Sequence, residues 1–113
     1  MGIKTQNQER AKFILEKIED LKKSSYAEKL PAFILTNGLL PTLAFLNSKQ
    51  DGRNLYHIIE NYLINKFHLS NMNKDIIEFL ANSDASILRI ATKEIMELAN
   101  WIKRLVEGEE KKD

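Results

Sequence analysis

The hydrophobic residues of this chain recur at steps of three and four positions, which is the spacing of an amphipathic helix. No segment shows the strict alternation of apolar and polar residues that predicts a half-buried strand. The first periodic segment follows Thr5, a residue type that caps helices, and extends to about residue 23. Its apolar face comprises Ala11, Ile14, Leu15, Ile18 and Leu21. This segment therefore predicts one helix with a single buried face.

A helical hairpin is predicted in the next segment. Residues 26–36 form a short helix in this prediction, with Pro31 in its first turns. The pair Asn37-Gly38 follows, and both residue types tolerate the left-handed conformation that ends many helices. Residues 39–46 are almost wholly apolar, so they predict a helix buried in the core.

Three more helices are predicted in the second half of the chain. Residues 54–67 have an apolar inner face, formed by Leu55, Ile58, Ile59, Tyr62 and Leu63. Residues 73–81 predict a shorter helix after a loop. The last helix begins near residues 83–84 and is the longest, ending at about residue 106, before Gly108. Its apolar seam consists of Leu88, Ala91, Ile95, Leu98, Ile102 and Leu105.

These segments predict an all-α fold, a single compact bundle of about five or six helices with a long C-terminal helix. The chain has 113 residues, a length typical of one domain. We therefore expect one helical domain over residues 1–113, with flexible ends at about 1–4 and 108–113.

Composition narrows the classes of function. The chain carries 17 Lys and Arg against 16 Asp and Glu, so its net charge of +1 creates no overall attraction to nucleic acid or to a membrane. Any such partner needs a local patch. The chain has no cysteine, which excludes disulfides, thiolate chemistry and cysteine-rich zinc sites. Its apolar runs are far shorter than the roughly 18 residues that span a bilayer, and we expect a cytoplasmic protein.

Motifs for catalysis are lacking. The two histidines, His57 and His68, have no further histidine or carboxylate cluster at metal-ligand spacing. No glycine-rich phosphate loop and no Ser, His and Asp arrangement occurs. The sequence therefore predicts a protein that is not an enzyme and that binds neither a metal nor a cofactor.

The polar face of the last helix carries a basic stripe. On a helical wheel, Arg89, Lys93, Asn100 and Arg104, with Met96 among them, share an arc of roughly 80° over about 22 Å, opposite the apolar seam, and Lys103 lies beside them. Such a stripe can contact several phosphates of a nucleic-acid strand without regard to sequence. A solvated face with no partner is the alternative interpretation.

Four further residues are candidates for contacts with protein. Glu94 lies beside the apolar seam, which predicts an ion pair with a base on a neighbouring helix, and exposed Glu97 suits docking. Trp101 flanks the basic stripe, either as a half-buried core residue or as an anchor for a partner. Phe13 lies off the first helix's apolar face, near Lys17, where it forms a contact surface or covers a loop.

Three stretches of the sequence together resemble one family. They are QERA at residues 8–11, KLPAFILTNGL at 29–39 continuing to LAFL at 43–46, and RIAT at 89–92 followed by Glu94, Trp101, Lys103 and Arg104. In this order the chain resembles the small helical subunit of the type III-B CRISPR effector, the Cmr complex. The resemblance covers residues 8–46 and 87–106, whereas residues 47–86 carry no family motif.

The resemblance implies a non-catalytic subunit of an RNA-guided antiviral complex, present in several copies that stack in a minor filament. Its expected partners are the guide-carrying backbone subunit, the large signalling subunit, further copies of itself, and target RNA paired to guide RNA. The family motif places nucleic-acid contacts at Arg10, Lys29, Arg89, Lys103 and Arg104. Lys17 and Lys93 are added by the helical wheel alone. With a net charge of +1, we expect each copy to bind weakly and the stacked copies to add their contacts.

Two other classes of protein remain open. The turn at Asn37-Gly38 between two short helices suggests a helix-turn-helix DNA-binding protein, although residues 39–46 offer almost no hydrogen-bonding groups to base edges. A helical adaptor that binds only protein is the other alternative. A measurement of nucleic-acid strand binding distinguishes this adaptor from the subunit described above.

Overall fold

The computed structural model describes residues 3–71 and 73–110, and within them the chain is all-α, as predicted. Seven helices occur in this part of the chain: α1 (Gln6–Glu16), α2 (Ile18–Lys22), α3 (Leu30–Asn37), α4 (Leu39–Ser48), α5 (Arg53–Lys66), α6 (Ile76–Ala81) and α7 (Ala85–Glu110). This is one or two more than the predicted five or six. One of the additional helices arises because the first predicted helix is divided into α1 and α2.

Helix α7 organises the packing. It is 26 residues long and extends about 39 Å, and α1, α2 and α3 pack along it, with α4 making a smaller contact. Helix α5 packs against α2, α4 and α6, and α4 also contacts α6. The buried side chains of all seven helices form one hydrophobic cluster. None of the helices in the described ranges is long and apolar enough to cross a bilayer.

The first predicted helix breaks at Lys17, whose backbone has φ −111° and ψ 7°. Its N–H donates to the carbonyl oxygen of Ile14 (2.9 Å), a tightened last turn that ends α1 before α2 begins. Leu15, expected on the apolar face, lies off the buried side of α1 and is 51% exposed. The N-terminal prediction is confirmed, since Thr5 and Gln8 form a reciprocal capping box.

The helical hairpin is confirmed, with Gly38 alone between α3 and α4 at φ +85°. Helix α3 begins at Leu30 rather than at residue 26, because residues 26–29 form turns. The burial predicted for residues 39–46 is only partly correct. Leu43 is fully buried, whereas Phe45 is 37% exposed and packs on the outer side. Its ring lies against the ring of Tyr26, with centroids 5.4 Å apart.

The helices of the second half largely match their predictions. All five predicted inner positions of α5 are buried, and in α7 the predicted seam residues Ala91, Ile95, Leu98 and Ile102 are fully buried. Helix α6 begins after its cap Asp75, which accepts from the N–H of Glu78 (2.8 Å). The predicted end of the last helix is wrong, because α7 continues through Gly108. Residues 108–110 are thus helical, and residues 1–2 and 111–113 lie outside the described residues.

Candidate nucleic-acid interface

Four exposed basic residues on α7 form the surface that we call the α7 basic surface. They are Arg89, Lys93, Lys103 and Arg104. The opposite side of α7 is buried, so packing against the core fixes this surface toward solvent. Within the described part of the chain, Arg89, Lys93 and Arg104 form no ion pair, and their charges are available to a partner.

Acidic groups border this surface at its C-terminal end. The carboxyl groups of Glu28 and Glu110 share a hydrogen bond, which raises the pKa of Glu28, while nearby Lys103 acts in the opposite direction. Exposed Lys29 follows Glu28 in the chain and precedes α3, which packs on α7. The charge of Lys103 is therefore partly compensated, and the free positive charge is centred on the other three residues.

Trp101 lies half-buried beside the basic surface. Its indole N–H donates to Oδ1 of Asn7 (3.1 Å), which joins α7 to α1. The indole packs against the core, as the core interpretation predicts. With Asn100, Arg104 and Glu97 it lines a shallow pocket of about 220 Å³, and its side chain is partly exposed there.

Arg10 lies in the interior rather than on the predicted strand-binding surface. It is only 6% exposed, and its guanidinium donates to both carboxylate oxygens of Glu94 (3.1 and 3.3 Å). It also donates to the side-chain oxygens of Asn7 and Gln6, each at 3.1 Å. Protein acceptors thus hold this side chain between α1 and α7, and Arg10 is not part of the α7 basic surface.

Glu94 forms the ion pair that its position on the wheel predicts. Besides Arg10 on α1, its carboxylate accepts from the hydroxyl of Tyr62 on α5 (3.0 Å) and lies 3.8 Å from Nζ of Lys66. Burial, followed by the hydrogen bond to Glu94, raises the pKa of Tyr62 to about 12. The carboxylate is therefore committed to interactions within the fold. Exposed Glu97, 3.9 Å from Arg10, is the freer candidate for docking.

Phe13 and Lys17 stand apart from the α7 basic surface. The ring of Phe13 packs edge-on against Tyr62 with centroids 5.2 Å apart, so this side chain is half-buried against α5. Nζ of Lys17 lies 5.5 Å from the centre of the Phe13 ring. This cation–π contact occupies one face of the ring. The structure thus gives both residues an internal packing role, and their predicted contacts with partners stay predictions.

An apolar groove beside the basic surface was not found by the sequence analysis. It has a volume of about 670 Å³ and lies between the first turn of α4 and the first half of α7. It is lined by Gly38, Leu39, Leu40, Pro41, Leu88, Arg89, Thr92, Lys93, Met96 and Glu97. The one sequence signal was Met96, an apolar residue within the polar arc of α7. The groove becomes visible only when α4 is placed next to that arc.

Neither histidine lies in a metal-binding cluster. The described residues contain no group of three or more His, Cys, Asp or Glu side chains that could hold a metal ion. Nδ1 of His57 lies 3.4 Å from Oε1 of Glu60, and His68 is an exposed residue with φ +57°. The absence of metal and cofactor stays a prediction.

Comparison with known protein families adds one finding. A family model described as CRISPR-associated protein (Cas_Cmr5) matches residues 6–109 of this chain. The match begins at the first residue of α1 and ends one residue before the last residue of α7. It also includes residues 47–86, in which the sequence motifs gave no family signal.

Proposed function

Because this chain belongs to the Cas_Cmr5 family of CRISPR-associated proteins, we propose that it is a non-catalytic subunit that contacts target RNA through the α7 basic surface. The family assignment confirms the resemblance to the small subunit of the type III-B effector, the Cmr complex. Membership also implies that the chain associates with other Cmr subunits. The contact with RNA, the stacking of copies and the lack of catalysis are our proposals.

The observation that supports an RNA contact is the availability of charge on α7. Arg89 and Arg104 are 15 residues apart on one straight helical face, a separation of about 22 Å, with Lys93 between them. None of the three has a carboxylate partner in the described residues. An unpaired row of cations attracts the regularly spaced phosphates of a strand.

Several stacked copies can hold an RNA strand even if each copy binds it weakly. A net charge of +1 gives one copy little overall attraction to RNA. Several copies in a minor filament, beside the backbone and signalling subunits, add their contacts through effective concentration. Exposed Glu97 and partly exposed Trp101 lie beside the basic surface and suit docking to these neighbours.

The helix-turn-helix alternative has no support in the geometry of the hairpin. A single residue, Gly38, joins α3 to α4, and the would-be recognition helix buries Leu39, Thr42, Leu43 and Leu46. Its outward residues include Pro41, Ala44 and Phe45, which lack side-chain hydrogen-bonding groups for base edges. We therefore retain the protein-binding adaptor as the contrasting hypothesis.

The test compares Cmr complexes reconstituted with the parent chain, with Arg89, Lys93 and Arg104→Ala, or with Lys12, Lys23 and Lys74→Ala. The second triple variant loses the same charge from exposed positions on other parts of the surface. After equal incorporation is checked, we expect target-RNA affinity to fall only with the first variant. Equal affinity in all three complexes would contradict the RNA contact and favour the adaptor.

A further inference from the structure

The groove beside the basic surface combines two chemistries. Its floor is apolar and is formed mainly by Leu40 and Pro41 of α4 together with Leu88 and Met96 of α7. Its volume of about 670 Å³ lies within the range of roughly 300–1,000 Å³ that is usual for sites that bind small molecules. This floor favours an occupant with an apolar face.

The edge of the same groove is cationic. Arg89 and Lys93 line it one helical turn apart, about 6 Å along α7, and neither forms an ion pair within the described ranges. The carboxylate of Glu97, which also lines the groove, lies 3.9 Å from the guanidinium of Arg10. The edge therefore favours an occupant that carries negative charge next to its apolar part.

Two further residues, Thr92 and Glu97, line the groove with polar acceptors. The hydroxyl of Thr92 donates to the carbonyl oxygen of Leu88 (2.7 Å), so its remaining lone pairs can only accept. The carboxylate of Glu97 is also an acceptor. A ligand that suits these acceptors carries N–H donors beside its apolar part.

We propose that this groove binds a nucleotide, with the base on the apolar floor and the phosphate between Arg89 and Lys93. A base supplies the flat apolar face and the N–H donors, and its phosphate supplies the adjacent negative charge. The proposal rests on the proposed RNA contact, because Arg89 and Lys93 belong to both surfaces. It adds a site for one unpaired base of the strand, so that the groove reads an exposed base as well as backbone charge.

A segment of protein is the contrasting occupant of an apolar groove. The unpaired cations favour the nucleotide, because they lie on the groove's edge and continue directly into the stripe along α7. An apolar protein side chain alone would leave both cations without partners, and a protein segment would need an acidic residue beside it. A nucleotide carries the apolar face and the negative charge in one unit.

Methionine-methyl NMR on the full-length isolated chain tests this proposal directly. The chain contains three methionines, and a Met96→Leu variant identifies the Met96 signal by its disappearance. We expect millimolar adenosine 5′-monophosphate to shift this signal upfield, because an aromatic ring stacked on the methyl group shields it. Ribose 5-phosphate has the same sugar and phosphate without a base, so it should leave the signal almost unmoved.

Charge variants give the second readout. Arg89→Gln with Lys93→Gln should weaken adenosine 5′-monophosphate binding several-fold without changing thermal unfolding. Lys12→Gln with Lys23→Gln, the matched control, should leave binding unchanged. No shift of the Met96 signal with the nucleotide, or an equal shift with ribose 5-phosphate, would overturn the proposal. A shift caused only by an acidic leucine-containing peptide would overturn it in favour of a protein-docking groove.

The same measurements separate this proposal from the proposed function. If the nucleotide leaves Met96 unshifted while the complex still needs Arg89, Lys93 and Arg104 to bind target RNA, the groove proposal fails and the RNA contact stands. If the nucleotide binds in the groove while the complex binds RNA equally well without those residues, the RNA contact in the assembly fails instead.

Discussion

Glu94 connects three helices through one carboxylate. It pairs with Arg10 of α1 and accepts from Tyr62 of α5, and it belongs to α7. The side chains of the ion pair are only 7% and 16% exposed, so both charges have lost most of their hydration. Nε of Arg10 is buried with no acceptor among the described residues, which adds to the cost of burying this pair. The pair therefore fixes how α1 docks on α7 more than it raises stability.

A double-mutant cycle tests this interpretation. Glu94→Leu leaves the Arg10 charge buried without its main partner, and we expect it to lower the free energy of unfolding by about 3–5 kcal/mol. Arg10→Met should have a similar effect. The double variant should lose much less stability than the sum of the two single losses, because the leucine and methionine side chains that replace the ion pair are apolar and fit a buried site. Urea unfolding gives the three values. Additive losses would contradict a buried, mutually dependent pair.

Tyr62 predicts how stability responds to alkaline pH. Burial and the hydrogen bond to Glu94 raise its pKa from 10.0 to about 12, so the unfolded chain loses this proton first. The contribution of protonated Tyr62 to the free energy of unfolding is complete below about pH 10. It is lost as the pH rises from there through about 12. Unfolding by urea at several alkaline pH values measures it. Tyr62→Phe should show a smaller loss of stability than the parent over that interval, and equal losses would contradict the assignment.

The sequence predicted part of this cluster. The wheel placed Glu94 beside the apolar seam and thus predicted a basic partner, since helical periodicity fixes direction locally. The identity of that partner depends on tertiary structure, because Arg10 lies 84 residues away in the chain. The strand contact expected for Arg10 came from the family resemblance, and it stays a prediction although protein acceptors hold this side chain. Nothing local distinguishes an arginine that faces solvent from one that faces a buried carboxylate.

At the scale of the elements, the types and order of the helices were predictable and several ends were not. Periodicity located α5 and α7 because their buried faces repeat over many turns. The ends of α1 and α7 depend on other forces. α1 ends at Lys17 although the apolar pattern continues, and α7 continues through Gly108 although glycine commonly ends helices. Local preferences alone therefore do not locate these two helix ends.

Two glycines, one within the last turns of α7 and one just before α5, provide a pair of substitutions with opposite expected effects on stability. Among the described residues, a Cβ atom at Gly108 would meet nothing within 4 Å, so Gly108→Ala should stabilise the protein by about 0.5–1 kcal/mol through helix propensity. A Cβ at Gly52, which precedes α5, would lie 2.6 Å from the backbone oxygen of Leu46, so Gly52→Ala should destabilise it. Thermal unfolding should show shifts of opposite sign. A loss of stability in Gly108→Ala would contradict a helix that extends through residue 108.

For the whole molecule, the distribution of charge carries more information than its total. A net charge of +1 predicts a protein with no general attraction to RNA, yet three cations that form no ion pair with any described residue lie along one face of α7. The sequence predicted these residues because a single helix positions them. It did not predict the groove, because Leu40 and Met96 become neighbours only when α4 packs beside α7. Sites built on one element are readable from periodicity, and sites built between elements are not.

The central claim is that the α7 basic surface contacts RNA phosphates in the assembled complex. The most direct measurement is the salt dependence of target binding by complexes carrying the parent chain or Arg89, Lys93 and Arg104→Ala. Each bound phosphate releases counterions, so we predict that the slope of log affinity against log salt becomes shallower by about 0.7–0.9 for each phosphate that the variant no longer binds. Each surface substitution should change the free energy of unfolding by no more than about 0.5 kcal/mol. Identical slopes, with equal incorporation of both chains, would contradict the claim.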